Sequence, residues 1–189
     1  MISNSKPDAE LNRDHTAALD PERARQIKLL ALDVDGVLTD GRITYGNSGE
    51  ELKSFNIKDG LGIKLMQRSG IEVVIITGRQ SLIVERRATE LGIGTIIQGR
   101  EDKLQALQEL CVLRGYALTE CAYMGDDLPD LAAVAAVGLG MTVADASAPL
   151  LAAAHWRSSH RGGEGAVRQA CEALLSARGQ LDALQAAFA

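Results

Sequence analysis

The sequence predicts an α/β protein, a three-layer Rossmann-like core with helices on both faces of a mainly parallel sheet. Short apolar runs alternate with amphipathic stretches of helical period, which is typical of parallel sheets. One run, IEVVIIT at residues 71–77, is apolar at almost every position, as expected for a strand covered on both faces. With 189 residues, of which 46% are hydrophobic, the chain is long enough for one domain with a full core.

The central stretch is LLALDVDGVLTDG, residues 29–41, in which a buried strand over residues 27–33 ends in two carboxylates. Gly36 permits the chain to turn sharply after them. Residues 1–25 are polar and without a steady period, which predicts a flexible leader. Residues 42–45 and 51–55 flank the turn sequence GNSG and predict a β-hairpin.

The rest of the chain alternates between helices and strands. A helix opens at Asp59 and ends near Gly70. Further helices are predicted at residues 80–91, 103–114, 128–134, 149–154 and 166–177, and further strands at residues 71–77, 95–97, 121–124, 137–141 and 155–158. The domain therefore spans residues 26–178, residues 179–189 form a mildly amphipathic tail, and only the small hairpin is inserted, with no cap domain.

Composition excludes several classes of function. A net charge of −5 and an aromatic content of 3% argue against a nucleic-acid partner. The three cysteines are far apart, which favours reduced thiols over disulfides or a zinc site. No apolar stretch approaches the roughly 20 residues of a spanning helix, and the N-terminus has no signal-peptide pattern. We therefore expect a cytoplasmic protein without a membrane partner.

The loops that follow the predicted strands carry carboxylates, a hydroxyl and cationic side chains. Ligands of open parallel sheets bind at the edge of the sheet where these loops lie. The groups are Asp33, Asp35, Thr77, Arg79, Asp126, Asp127 and Asp130, with Lys103 opening the helix after the third strand of the sheet. Two like charges 4 Å apart repel by about 4 kcal/mol at an effective dielectric near 20, so we expect a cation among the carboxylates. Oxygen ligands without histidine or thiolate favour Mg²⁺.

In this order and spacing the motifs resemble those of the haloacid dehalogenase-type (HAD) phosphohydrolases. DVDGVLTDG is similar to that family's first motif, ITGR to the second, Lys103 to the third and GDDLPD to the fourth. The resemblance runs from about residue 27 to residue 168. Within the family, FNIKDGLGIK at residues 55–64 and GGEGAVRQ at residues 162–169 make the chain most similar to 3-deoxy-D-manno-octulosonate 8-phosphate (KDO 8-phosphate) phosphatases.

The resemblance implies a Mg²⁺-dependent phosphomonoesterase that works through an aspartyl-phosphate. Asp33 would be the nucleophile, and Asp35 would protonate the leaving oxygen and then deprotonate the hydrolytic water. Thr77 and Lys103 would neutralise charge on the transferred group. The expected metal ligands are Asp33, the backbone carbonyl of Asp35, and Asp126. Asp127 and Asp130 would lie behind them, Asp127 orienting Lys103 or the waters on the metal.

A sugar acid phosphate carries a carboxylate as well as a phosphate, so its pocket needs further cations. The candidate substrate-binding residues are Asp35, Asn56, Ile57, Lys58, Asp59, Gly60, Lys64, Arg79, Arg87 and Lys103. Related sequences often have arginine where this chain has Lys58 and Lys64. Two alternatives stay open: a phosphatase of sialic-acid-like 9-phosphates, and a receiver-like phosphoacceptor module. Motif order argues against the receiver, in which the acidic pair precedes the acceptor aspartate.

The absence of a cap domain bears on assembly, because water must be kept from the aspartyl-phosphate. A neighbouring subunit can supply the cover, and the family's tetramers suggest a homotetramer with the hairpin as interface. The tail after Arg178 is a candidate to reach an adjacent site. The resemblance also implies that the product enters lipopolysaccharide synthesis.

Overall fold

The computed structural model describes residues 18–188 of the protein. Six of its strands form one parallel sheet in the order β5-β4-β1-β6-β7-β8, and β2 and β3 pair as a separate antiparallel hairpin. The strands are β1 (Leu29–Leu32), β2 (Thr44–Tyr45), β3 (Glu51–Leu52), β4 (Glu72–Ile76), β5 (Thr95–Ile97), β6 (Cys121–Gly125), β7 (Leu139–Thr142) and β8 (Trp156–Arg157). The predicted α/β class, with a parallel sheet and a small hairpin insertion, is confirmed.

The helices cover both faces of this sheet. They are α1 (Pro21–Gln26), α2 (Ile57–Arg68), α3 (Leu82–Leu91), α4 (Lys103–Arg114), α5 (Leu131–Ala136), α6 (Ala148–Ala153), α7 (Ala166–Ala177) and α8 (Leu181–Ala186). Helix α2 packs against α7 and α3, whereas α4 packs against α5 and α5 against α6. Within residues 18–188, no helix is long and apolar enough to cross a membrane.

The strand order places a crevice beside β1. Among the six sheet strands it is the 3-2-1-4-5-6 order of doubly wound folds, in which the chain changes direction between β1 and β6. Leu32 pairs with Ile75 of β4 and with Met124 of β6, and the Asp33 N–H donates to the Met124 carbonyl at 3.0 Å. The loops after β1, β4 and β6 therefore meet at one edge of the sheet, where ligands bind in such folds.

The core is apolar and closely matches the predicted runs. All four residues of β1 are buried, as are the last four of β4 and all of β6. Burial on both faces explains why these strands lack polar alternation. The helix expected at residues 128–134 is instead a 3₁₀ turn, Leu128–Asp130, followed by α5.

The N-terminal boundary of the domain differs from the prediction. Residues 1–17 of the expected leader lie outside the described residues, but its end forms α1. Asp20 caps this helix by accepting from the Glu22 N–H at 3.0 Å, and Ala24 is buried. The Arg178 guanidinium donates to the carbonyls of Ala24 and Ile27 at 2.8 and 3.0 Å. Residues 21–25 thus belong to the folded unit.

The C-terminal tail folds back onto its own chain. Gly179, with φ of +69°, ends α7, and α8 follows with Leu181 and Leu184 packed against the core. The Arg68 guanidinium lies 5.4 Å from the centre of the Phe188 ring. That the tail reaches a neighbouring site stays a prediction.

Candidate active site

The loop after β1 is held in a tight turn that brings two chain segments together. The Thr39 hydroxyl oxygen accepts from the N–H groups of Gly36 and Gly41 at 3.4 and 3.2 Å. Gly36 has φ of +92°, and a Cβ there would lie 2.0 Å from Asp126 Oδ2. Only glycine lets the Asp126 carboxylate approach the β1 loop so closely.

Three carboxylates and one ammonium meet at this point. Asp33, Asp126 and Asp130 each offer an oxygen, and these oxygens lie within 4.8 Å of one another. Lys103, the first residue of α4, places Nζ 3.0 Å from Asp33 Oδ1 and 2.7 Å from Asp130 Oδ1. Burial alone would lower the pKa of Lys103, but the two carboxylates raise it above its usual value. The ammonium is therefore retained in the cluster.

Asp130 organises the cluster rather than facing an open space. Its Oδ1 accepts from Lys103 Nζ and from the Tyr123 hydroxyl, at 2.7 and 2.8 Å. Its Oδ2 accepts from the backbone N–H groups of Asp126 and Asp127, at 3.2 and 3.4 Å. These four bonds use the whole accepting capacity of a carboxylate. Asp130 thus holds Lys103, and of the two roles expected for the exposed Asp127 the orientation of waters on the metal stays a prediction.

Asp33 and Asp126 have the properties of metal ligands. Burial, followed by the charge of Asp130, raises the pKa of Asp33 to about 7. Burial, followed by the charge of Asp33, raises the pKa of Asp126 to about 7 as well. Asp33 Oδ1 is buried, and the Lys103 ammonium 3.0 Å from it is shared with Asp130. A hard divalent cation between the two carboxylates fits this surplus of buried negative charge.

The loop after β4 carries the second motif to the same edge. Thr77 is buried, its N–H donates to the Ile97 carbonyl at 2.9 Å, and its carbonyl accepts from the Arg100 N–H at 3.2 Å. Because β4 neighbours β1, Thr77 stands at the edge that also carries Asp33. The backbone of the threonine is thereby fixed on both sides.

A second charged cluster surrounds Asp35, and it involves residues that the sequence interpretation missed. Lys53, just after β3, contacts the Asp35 carboxylate, and its Nζ lies 3.3 Å from Glu51 Oε1. Arg79 Nη2 donates to Glu51 Oε2 at 3.0 Å, and Arg79 Nε is 3.9 Å from Asp35 Oδ2. The only signal for Lys53 was its spacing of two from Glu51, which places both on one face of a strand.

Asn56 and Asp59 bond to backbone groups at the starts of two helices. Asn56 caps α2, since its Oδ1 accepts from the Lys58 N–H at 2.9 Å. Asp59 is 1% exposed and accepts from the Arg168 N–H at 2.7 Å, in the first turn of α7. Burial raises the pKa of Asp59. Oδ1 of Asp59 thus caps a neighbouring helix from a buried position, and we now expect this structural role for Asp59 in place of the predicted substrate contact.

Arg87 and Gly60 are brought together at the start of α2. Arg87 Nη2 donates to the Asn56 carbonyl at 3.4 Å, and its guanidinium lies 5.7 Å from the Phe55 ring centre. A Cβ at Gly60 would lie 2.5 Å from Arg87 Nη2, so the glycine makes room for the arginine. The remaining candidates on α2 are exposed to solvent: Ile57, Lys58 and Lys64.

Comparison with known proteins gives first the class and then the family. The sequence model of the haloacid dehalogenase-like hydrolase family matches residues 91–169 of this chain. The KDO 8-phosphate phosphatases KdsC of Yersinia pestis and Escherichia coli K12 are 48% and 49% identical over 85% of this chain, covering 86% and 85% of those proteins. The chain belongs to the family of 3-deoxy-D-manno-octulosonate 8-phosphate phosphatases.

A solved structure shows the same fold. The Moraxella catarrhalis 3-deoxy-D-manno-octulosonate 8-phosphate phosphatase, in complex with magnesium ion, phosphate ion and KDO, matches with a TM-score of 0.88. Its identity to this chain is 48%, and the match covers 89% of this chain and 97% of that protein.

Proposed function

We propose that the chain is a Mg²⁺-dependent phosphatase that hydrolyses 3-deoxy-D-manno-octulosonate 8-phosphate to 3-deoxy-D-manno-octulosonate and phosphate. The observation that carries this proposal is the buried Asp33 carboxylate beside Asp126 and Lys103, at the point where the sheet changes direction. The relatives named above, two of them 48% and 49% identical, support the substrate.

In this proposal Asp33 attacks the phosphorus in line and forms the aspartyl-phosphate. Asp35 protonates the sugar oxygen that leaves and later removes a proton from the hydrolytic water. Lys103 and Thr77 face the charge of the transferred group. Asp33, the Asp35 carbonyl and Asp126 would hold Mg²⁺, which when bound neutralises charge on the carboxylates and phosphoryl oxygens.

The substrate carboxylate requires a cation away from the acid cluster. Arg79 is 41% exposed at its side chain and keeps Nε without a hydrogen-bond partner among the described residues. Arg87 has a side chain that is 19% exposed and lies over the start of α2. We assign these two arginines to the sugar acid, because a guanidinium binds a carboxylate in bidentate fashion. Lys58 and Lys64 would act as weaker point charges at the rim.

Phosphate release from the purified protein tests the function. We expect Mg²⁺-dependent hydrolysis of 3-deoxy-D-manno-octulosonate 8-phosphate, faster than that of a sialic-acid-type 9-phosphate measured beside it. Asp33→Asn should abolish release, and a chelator should do so until Mg²⁺ is restored. Glu72→Gln, at the opposite end of the sheet, is the matched control and should stay active. Undiminished turnover by Asp33→Asn, or in chelator, would refute the mechanism.

We also propose a cytoplasmic homotetramer in which the hairpin of β2 and β3 contacts a second copy. Ile43, Tyr45 and Leu52 are 40%, 65% and 58% exposed on this hairpin, and apolar groups of this kind favour association. Light scattering tests the assembly, and a monomer at every concentration would refute it. The three buried free cysteines support a reducing compartment, which cell fractionation tests.

A further inference from the structure

Lys53 is a buried lysine on a hairpin that is otherwise exposed. Its side chain is 0% exposed, whereas Tyr45 and Leu52 on the same hairpin are 65% and 58% exposed. Removing an ammonium from water costs several kcal/mol unless anions compensate, and replacing such a pair by apolar groups is often neutral or stabilising. A surface hairpin gains little stability from this burial, so a role at the site is indicated.

Both anions that compensate Lys53 have defined places. Asp35 lies in the turn after β1, and Glu51 lies in β3 two residues before Lys53. Glu51 is itself held by Arg79 Nη2 at 3.0 Å, and the neighbouring cations lower its pKa against the effect of burial. Glu51 is thus an anchored carboxylate that fixes the position of the Lys53 ammonium.

The contact leaves the two oxygens of Asp35 in different surroundings. Lys53 donates to Oδ1, whereas Arg79 Nε lies 3.9 Å from Oδ2, beyond hydrogen-bond distance. The side chain of Asp35 is 20% exposed, so it is not closed off from the crevice. Because Oδ1 already accepts from an ammonium, Oδ2 is the carboxylate oxygen left to face a substrate.

We propose that Lys53, anchored by Glu51, is a positioning residue that fixes the Asp35 carboxyl so that Oδ2 faces the leaving oxygen of the substrate. The inference rests on the proposed function. As the bond from phosphorus to the leaving oxygen breaks, its electron pair stays on that oxygen, which takes the proton from Oδ2. Asp35 is then a carboxylate paired with Lys53, and it recovers a proton from the water that cleaves the aspartyl-phosphate.

The dependence on the leaving group separates this role from a purely structural one. A sugar alkoxide needs a proton to leave, whereas the nitrophenolate of p-nitrophenyl phosphate does not. General acid catalysis contributes about 10²- to 10⁴-fold, so partial loss of alignment in Lys53→Met should lower kcat on the octulosonate phosphate about 10- to 100-fold. We expect the KM of Lys53→Met for the octulosonate phosphate to stay within about threefold of wild type, because alignment of the acid does not contribute to substrate binding in the ground state. Its kcat on p-nitrophenyl phosphate should also stay within about threefold of wild type.

Two further variants complete the experiment. Lys28→Met removes a lysine that pairs with Glu120 at the opposite end of β1. This control should leave kcat on both substrates unchanged. Glu51→Gln, which loosens the anchor without removing the ammonium, should give a smaller loss with the same selectivity. It also keeps the inference testable where Lys53→Met does not fold, as judged by circular dichroism and light scattering.

The outcomes are distinct. A loss of kcat on the octulosonate phosphate alone, with KM retained, in folded Lys53→Met or Glu51→Gln supports the inference. A selective rise in KM in Glu51→Gln reports instead on Arg79, which Glu51 also holds, and overturns the inference if kcat is unchanged in both variants. An equal loss on both substrates, or no loss in either variant, overturns it while the phosphatase function stands. If the wild-type protein releases phosphate from neither substrate, the proposed function fails and the inference fails with it.

Discussion

Gly36→Ala should weaken Mg²⁺ binding strongly while leaving the fold intact. The added Cβ would lie 2.0 Å from Asp126 Oδ2, so the carboxylate must retreat by about 1.4 Å to reach an ordinary contact. Metal–oxygen distances tolerate only about 0.2 Å, so Asp126 could no longer share a cation with Asp33. We expect Mg²⁺ affinity to fall by at least the 10- to 100-fold typical of disturbing a ligand's orientation.

The stability cost of this substitution is separable from the loss of metal. At φ of +92° an alanine costs roughly 1–2 kcal/mol, or about 2–8 °C in Tm for a chain of this size. Gly70→Ala is the matched control, because Gly70 has φ of +86° and nothing within 4 Å of a Cβ. Calorimetric titration with Mg²⁺ and thermal unfolding in chelator measure both effects. Wild-type Mg²⁺ affinity in Gly36→Ala would refute the assignment of Asp126.

Two further predictions concern the buried acids. Because burial and neighbouring carboxylates raise the pKa of Asp33 and Asp126 from an ordinary 3.8 to about 7, the metal-free native state binds more protons than the unfolded chain between these values. Urea unfolding in chelator should show that the free energy of unfolding falls from about pH 5 to pH 8, and that it falls less in Asp33→Asn. An increase in the free energy of unfolding over this range would contradict the raised pKa of these acids. Asp59→Ala should lower stability by about 1–3 kcal/mol with an unchanged KM, since it removes the acceptor of the Arg168 N–H. Asp59→Asn keeps an acceptor and should cost less, whereas a raised KM in Asp59→Ala would restore Asp59 to the substrate pocket.

Local sequence pattern was sufficient where structure follows from local rules. The apolar run of β4 and the start of α4 at Lys103 lie where period and motif place them. The edge of the sheet that carries Asp33, Thr77 and Asp126 follows from strand alternation alone, since the carboxyl ends of parallel strands share one side. Motif spacing therefore indicated the acid cluster.

The differences arise where a side chain finds a distant partner. Asp59 bonds to the first turn of α7, far along the chain, and no local signal shows this. Lys103 contacts Asp130 rather than Asp127 because the 3₁₀ turn after β6 directs the Asp130 side chain inward. Lys53 follows the short strand β3 and pairs with Asp35, while Arg79 pairs with Glu51 of that strand. Such contacts are set by tertiary packing, which pattern and propensity do not contain.

The reversal of strand order between β1 and β6 also links the metal to folding. Asp33 comes from the first sheet strand and Asp126 from the fourth, so the two carboxylates meet only when both halves of the sheet have assembled. A cation that binds this pair binds the native state and not the unfolded chain, and stabilises the whole domain by mass action. Loss of Mg²⁺ would therefore increase the population of the globally unfolded state. Proteolytic cleavage would become faster even in parts of the chain remote from the site.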